Sequence, residues 1–338
     1  MNTVTAITTQ VRRELWEHRG LLAYTPFVIA AVLLALAIGG VGFGVGQFSA
    51  LVEGDLDDLI PGAGVSAREL PPELLRAVML LTMTMSLTLF VAVLVVMIFF
   101  YSLDALYAER RDRSILFWRS LPVSDLRTVL CKLVTAVLVA PLLVVAAIMV
   151  VQVGSLLIAM AGAAFTTGGP SPGELWRATP LASLWVLQVY GALAMTLWWS
   201  PLLAWLLLAS AWAPKAPLVW GVLPPIALGL IERMTVGTSW VFSALGERVI
   251  GFAPRAFEFD ARRVFGMAGD GDSVDFSIGA GSVLGQPGNG AAVESGLNVL
   301  ALATPGQLLA APGLWGGLVV AAVLVAGAVY VRRFRGES

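Results

Sequence analysis

Lysine, cysteine and histidine are almost missing from this 338-residue chain. Cys131 is the sole cysteine, which excludes an intramolecular disulfide and any cysteine-based metal cluster. His18 is the sole histidine, which excludes a multi-histidine metal site. Only Lys132 and Lys215 are lysines among the 21 basic residues; the others are Arg. Charge of either sign is scarce, at 13% of residues, where soluble domains average about 25%. A net charge of −1 carries no electrostatic case for nucleic-acid binding. What fills the chain is apolar: 58% of residues are hydrophobic. Most of the polypeptide is therefore expected to avoid water.

Roughly 20 apolar residues in a helix cross the hydrocarbon core of a bilayer. Five stretches reach that length, at about 22–46, 77–103, 128–162, 180–211 and 312–331. A sixth, about 216–231, is short and contains Pro224-Pro225, but Lys215 and Glu232-Arg233 bracket it with charge. The paired prolines remove backbone donors and predict a kinked or interrupted helix. The fold class expected is all-α: one transmembrane domain spanning residues 1–338, with six helices. Ahead of the first span, Val4, Ile7, Val11 and Leu15 recur at helical spacing, with Arg12, Arg13, Glu14 and Glu17 mostly elsewhere. That pattern predicts an amphipathic helix over 3–19 lying at the membrane surface.

Arginine placement sets the expected orientation. Arg12, Arg13 and Arg19 precede the first span, six basic residues occupy 103–132, and Arg332, Arg333 and Arg335 end the chain. The 47–75 and 163–179 loops hold one basic residue each, Arg68 and Arg177. Both termini and the 103–128 loop are thus expected in the cytoplasm of a bacterium, and 232–311 outside its inner membrane. Within that long external segment, 239–253 and 296–311 predict short helices that dip into the outer leaflet or pack on the span mouths. The Gly-, Asp- and Ser-rich 266–292 predicts a loop or small cap.

No Gly-Lys-Ser/Thr phosphate-binding motif exists, because Cys131 precedes Lys132 and Pro214 precedes Lys215. The glycines of 39–46 end an apolar run with no strand–helix unit around them, so they predict close helix packing rather than dinucleotide binding. The spans hold almost no ionisable residue, which argues against a proton- or sodium-coupled carrier. With no His, Asp or Glu clustered in the spans, an intramembrane enzyme is the weakest reading. Intramembrane polarity rests on Gln152, Gln188 and hydroxyls such as Thr84 and Thr88, which share a helical face. Trp198 and Trp199 sit within a span and are candidates for lining a path.

The loop after the second span stands out. Residues 109–127 combine charge (Glu109, Arg110, Arg111, Arg113) with a compact apolar cluster (Ile115, Leu116, Phe117, Trp118, Leu121), broken by Pro122. Such a cluster must be buried against the membrane surface or a partner. Ser114 and Ser124 are candidate helix caps on either side.

Glu109-Arg110, Ser114-Ile115 and Ser120-Leu-Pro-Val-Ser124 resemble the cytoplasmic loop of type-2 ABC exporter permeases, and the six-span layout is similar to theirs. The chain departs from that pattern at Arg113, where Gly is usual, and Leu116, where Glu is usual. The resemblance implies that the loop is a coupling helix docking in two copies of a separate cytosolic ATPase subunit, which carry ATP and Mg; this chain itself needs no cofactor. By that resemblance Glu109, Arg110, Phe117, Trp118 and Pro122 are the coupling residues. A second permease copy or paralogue would complete the unit. Thr84, Thr88, Pro224 and Pro225 would line the substrate path or dimer seam, beside membrane lipids. An apolar seam suits a hydrophobic or amphipathic substrate. The alternative is an ATP-independent scaffold or assembly factor that docks a cytosolic partner through 114–122.

Overall fold

The computed structural model describes residues 3–54, 72–112, 124–165, 170–258 and 299–335, and every extended element among them is helical. In chain order the helices are α1 (Thr3–Glu17), α2 (Thr25–Gly54), α3 (Pro72–Arg111), α4 (Asp125–Val134), α5 (Ala140–Phe165), α6 (Pro172–Ala178) and α7 (Leu181–Trp198). They continue as α8 (Ser200–Trp212), α9 (Pro217–Thr235), α10 (Trp240–Ile250), α11 (Ala253–Ala256), α12 (Pro305–Ala310) and α13 (Pro312–Arg335). Among the described residues, six helical segments are long and apolar enough to cross a membrane, five of them close to the expected places and the fourth, Pro172–Trp198, shifted towards the N-terminus of the expected 180–211.

Large aliphatic side chains and small residues share the core. Phe90, Leu94, Met97 and Tyr101 of α3 meet Val144 and Ile148 of α5, Leu203 and Leu207 of α8, and Ala321, Val325 and Ala328 of α13. The most extensive packing joins α8 to α13, then α2 to α5 and α8 to α3. Alanine spacing along α8 and α13 (Ala204 and Ala211; Ala321 and Ala328) lets those backbones approach closely, the usual route to helix packing where lipid removes the hydrophobic drive.

Prolines shape the spans in three ways. Two π-helical turns, Gly20–Tyr24 and Thr135–Val139, end just before Thr25-Pro26 and Ala140-Pro141, so the ladder widens ahead of each residue that cannot donate. Pro141 leaves the Val137 carbonyl without its helical donor, and the Thr196 hydroxyl donates to it at 2.7 Å. The expected fourth span, 180–211, is two helices: Pro201 cannot extend the ladder, and the chain turns at Trp199 between α7 and α8.

Of the kink or interruption expected at Pro224 and Pro225, interruption does not occur: α9 passes through both. Pro225 frees the Gly221 carbonyl, and the Trp205 indole Nε1–H donates to it at 2.8 Å. A neighbouring side chain thus replaces the missing backbone bond, as the bilayer interior requires. Gly221 also permits the approach, since a Cβ there would lie 2.7 Å from Leu103 Cδ2. Trp205→Phe keeps the ring and removes that donor. It should cost about 1–3 kcal/mol, the penalty for an unpaired buried carbonyl, read as a lower midpoint of thermal unfolding in detergent.

The far side of the bundle is closed by the segment after α9. Glu232 accepts from Trp240 N at 2.7 Å and Val241 N at 2.8 Å, capping the start of α10 in place of a conventional N-cap side chain. The chain then folds back so that Phe257 and Ala303 pair antiparallel, with Thr304 N donating to Ala256 O at 2.9 Å. Ala256, Leu308, Ala311 and Leu314 close over Ala194 and Trp198. Short helices packed against the spans are therefore present at Trp240–Ile250, Val299–Leu302 and Pro305–Ala310; residues 266–292 and 296–298 lie outside the described residues.

Candidate functional site: a buried ionic hub where α1, α3, α4 and α13 meet

The ends of α1, α3, α4 and α13 converge at one end of the bundle. Lys132, on α4, is fully buried, and its Nζ lies 2.9 and 3.0 Å from the two carboxylate oxygens of Glu14 on α1. The same ammonium is 3.0 Å from Glu109 Oε1 at the end of α3. The other Glu109 oxygen accepts from Arg332 on α13 at 2.5 Å. Arg332 Nε also reaches Asp125 Oδ1, in the first turn of α4, at 2.9 Å. Arg13 sits 3.4 Å from Glu109 Oε1, and the Tyr101 hydroxyl donates to Glu14 Oε2 at 3.3 Å.

Three carboxylates (Glu14, Glu109, Asp125) thus face three cations (Arg13, Lys132, Arg332). Glu17, more exposed, is a further partner of Arg13 at 3.6 Å. At the buried centre, Glu14, Glu109, Lys132 and Arg332 have their desolvation offset by one another. Helix ends explain the placement. Ser124 caps α4 through Arg127 N at 3.3 Å, fixing Asp125 in the first turn of that helix and setting Lys132 two turns on, on the same side. A carboxylate in that first turn also complements the helix dipole.

This hub corrects one expectation. The span helices, expected to hold almost no ionisable residue, carry three buried charges: Glu109, Lys132 and Arg332 lie within segments apolar enough to cross a membrane. Glu109 is only 1% exposed. Arg110 also turns inward. It donates to the carbonyls of Ser210 at 2.8 Å and Ala213 at 2.7 Å, taking up the end of α8. Ser210 Oγ in turn accepts from Leu106 N at 3.1 Å and Tyr107 N at 2.9 Å. Both sides of the loop are therefore rooted in the bundle, by Glu109 and Arg110 before it and Asp125 and Lys132 after it. Phe117, Trp118 and Pro122 lie outside the described residues.

Thr84 and Thr88 are exposed on the outer face of α3, beside Met85 and Leu89. Thr84 Oγ1 donates back to Leu80 O at 2.9 Å, the usual fate of a hydroxyl within a helix. Pro224 and Pro225 are half-buried on α9. Helix α9 meets α3 where Gly221 faces Leu103, 15 residues along α3 from Thr88 and so about 22 Å away. Within one chain the two threonines and two prolines do not form a single site.

Trp198 is not a path-lining residue either. It is 1% exposed, with the Arg248 and Arg255 guanidinium carbons 4.7 and 4.9 Å from its ring. Arg248 further donates to Gly313 O at 2.6 Å, and burial holds its guanidinium below the usual arginine range. Gln152 links three helices: its Nε2 donates to Met83 O at 3.4 Å, and Trp185 Nε1 donates to its Oε1 at 3.1 Å.

Glu14 is the residue that sequence reasoning missed. Its neighbour Leu15 is expected on the buried face of α1, and Glu14 follows Val11 by three positions, so the helical spacing itself places it near that face. The matching signal was Lys132, one of two lysines in the chain and set at the head of an apolar run.

No family model, curated protein or solved structure matches the chain. The described helices define its class by length and apolarity: a multi-pass helical membrane protein. Among the described residues, no group of His, Cys, Asp and Glu is arranged to hold a metal ion.

Proposed function

We propose that this chain is the membrane permease subunit of an ATP-driven exporter of the type-2 ABC kind, working with a separate ATPase subunit. The observation that carries the reading is the buried hub at the base of the 113–123 loop. A force applied to that loop reaches α1, α3, α4 and α13 together, because Glu109, Lys132 and Arg332 join them through short ion pairs. Phe117, Trp118 and Pro122 would contact the ATPase directly. Glu109 and Arg110 act as positioning residues that keep the loop fixed to the spans. The loop resemblance and the lack of a phosphate-binding motif support the same division of labour.

In this reading the hub end faces the cytoplasm of a bacterial inner membrane, with both termini there. The exposed face of α3 bearing Thr84 and Thr88 meets a second permease copy, and the substrate is hydrophobic or amphipathic. The test is affinity purification of the full chain from its native membrane. An ATPase subunit should co-purify, and Phe117→Ala with Trp118→Ala should abolish substrate-stimulated ATP hydrolysis while membrane insertion persists. Recovery of a cytosolic partner without ATPase activity would sink the exporter reading in favour of a scaffold.

A further inference from the structure

Between α4 with its π-turn and α13 lies an open groove of about 380 Å³, separate from the hub. One wall carries Leu126, Leu130 and Val137, the other Ala322 and Ala326, and the floor is apolar except for Ser200. Alanines on α13 hollow it, since the opposite wall carries bulkier Leu and Val. Leu126 and Leu130 are 50% and 41% exposed, so the groove opens sideways rather than into the bundle.

Its length fits one leaflet. From Leu126 to Val137 the helix advances about 16 Å, against roughly 15 Å for half of a 30 Å hydrocarbon core. One end lies at the charged base of the bundle, the other near the middle of the spans. The charged end is basic. Arg127 adjoins Leu126, and Arg333 continues the α13 face of Ala322, Ala326 and Val329 at three- and four-residue spacing. Asp125, which precedes Leu126, is paired with Arg332 at 2.9 Å.

We propose that the groove holds one acyl chain of an anionic phospholipid, drawn from the leaflet at the hub end, with its phosphate against Arg127 and Arg333. A second copy of this chain is a poorer occupant, because a symmetric contact here would bring two basic mouths together. The proposal does not depend on whether an ATPase drives the protein.

The full chain is reconstituted with equimolar phosphatidylcholine and phosphatidylglycerol, re-extracted in mild detergent, and its retained lipid measured by native mass spectrometry. Phosphatidylglycerol should be retained in stoichiometric amount, enriched on the order of ten-fold as two basic residues at a membrane surface allow. Ala322→Phe with Ala326→Phe should expel the lipid while helical content and elution volume persist. Arg127→Gln with Arg333→Gln should keep a lipid but erase the enrichment. Undiminished retention in the filled-groove variant, or unchanged enrichment in the charge variant, overturns the proposal. So does efficient chain-to-chain crosslinking through Ala322→Cys, which places a second copy in the groove. Should the filled-groove variant fail to insert, the charge variant decides alone, since it leaves the groove walls intact.

Discussion

Lys132→Met should destabilise the protein by about 3–5 kcal/mol, the cost of breaking a buried ion pair from one side. The methionine matches the lysine stem in length, so packing is nearly preserved and the loss is electrostatic. Lys132 is fully buried and serves two carboxylates at once. Once it is gone, Glu109 still has Arg332 and Arg13, whereas Glu14 keeps only the Tyr101 hydroxyl at 3.3 Å and Arg13 at 3.3 Å. Glu14 is then the group that suffers most. Adding Glu14→Gln to Lys132→Met should therefore recover much of the loss, giving a strong negative departure from additivity in a double-mutant cycle. Reversible unfolding in mixed detergent micelles measures both quantities. A Lys132→Met loss below about 1 kcal/mol, the range of an exposed pair, would show that water reaches the hub.

A second large effect is expected at the opposite end of the bundle. Trp198→Ala should cost about 3–5 kcal/mol, as truncation of a buried aromatic usually does. Trp198 is 1% exposed and touches three elements at once. Its ring lies under Arg248 and Arg255, its Nε1–H donates to Glu247 O at 3.3 Å, and a Cβ on Gly313 would sit 3.0 Å from it. The alanine variant loses the ring, leaves two cations without an aromatic face and opens space between α7 and α13. Cation–π contact adds about 0.5–2 kcal/mol to the transfer term. Trp198→Phe should recover most of this, losing chiefly the indole hydrogen bond. The segment of α12 should also become sensitive to protease in Trp198→Ala, because Leu308 packs against that ring's cluster. Equal stability of the alanine and phenylalanine variants would refute this account.

Much of the architecture was legible in residue order alone. Most apolar runs long enough to cross a bilayer are bounded by Arg, Asp or Glu, and six spanning helices appear, five close to the expected places and the fourth shifted to Pro172–Trp198. Proline was legible as a site of disturbance, but not its outcome. Pro224-Pro225 was expected to kink or interrupt α9; the helix continues, with the Trp205 indole N–H from α8 taking up the carbonyl that Pro225 frees. Pro201 lies in what looked like one span, and that span breaks at Trp199, two residues ahead of the proline.

The same distinction separates what was and was not readable in the candidate site. Periodicity and composition alone determined the helices, the spans and the singular loop over 109–127, since these depend on local spacing and on transfer between water and lipid. Positive residues near span ends, Arg13, Lys132 and Arg332 among them, read as orientation signals for the same reason. Tertiary structure decided that these three cations neutralise Glu14, Glu109 and Asp125 instead of simply facing water. That pairing joins residues as far apart as Glu14 and Lys132, or Glu109 and Arg332. No local pattern encodes it, because a buried charge becomes tolerable only through partners that the folded chain brings to within about 3 Å.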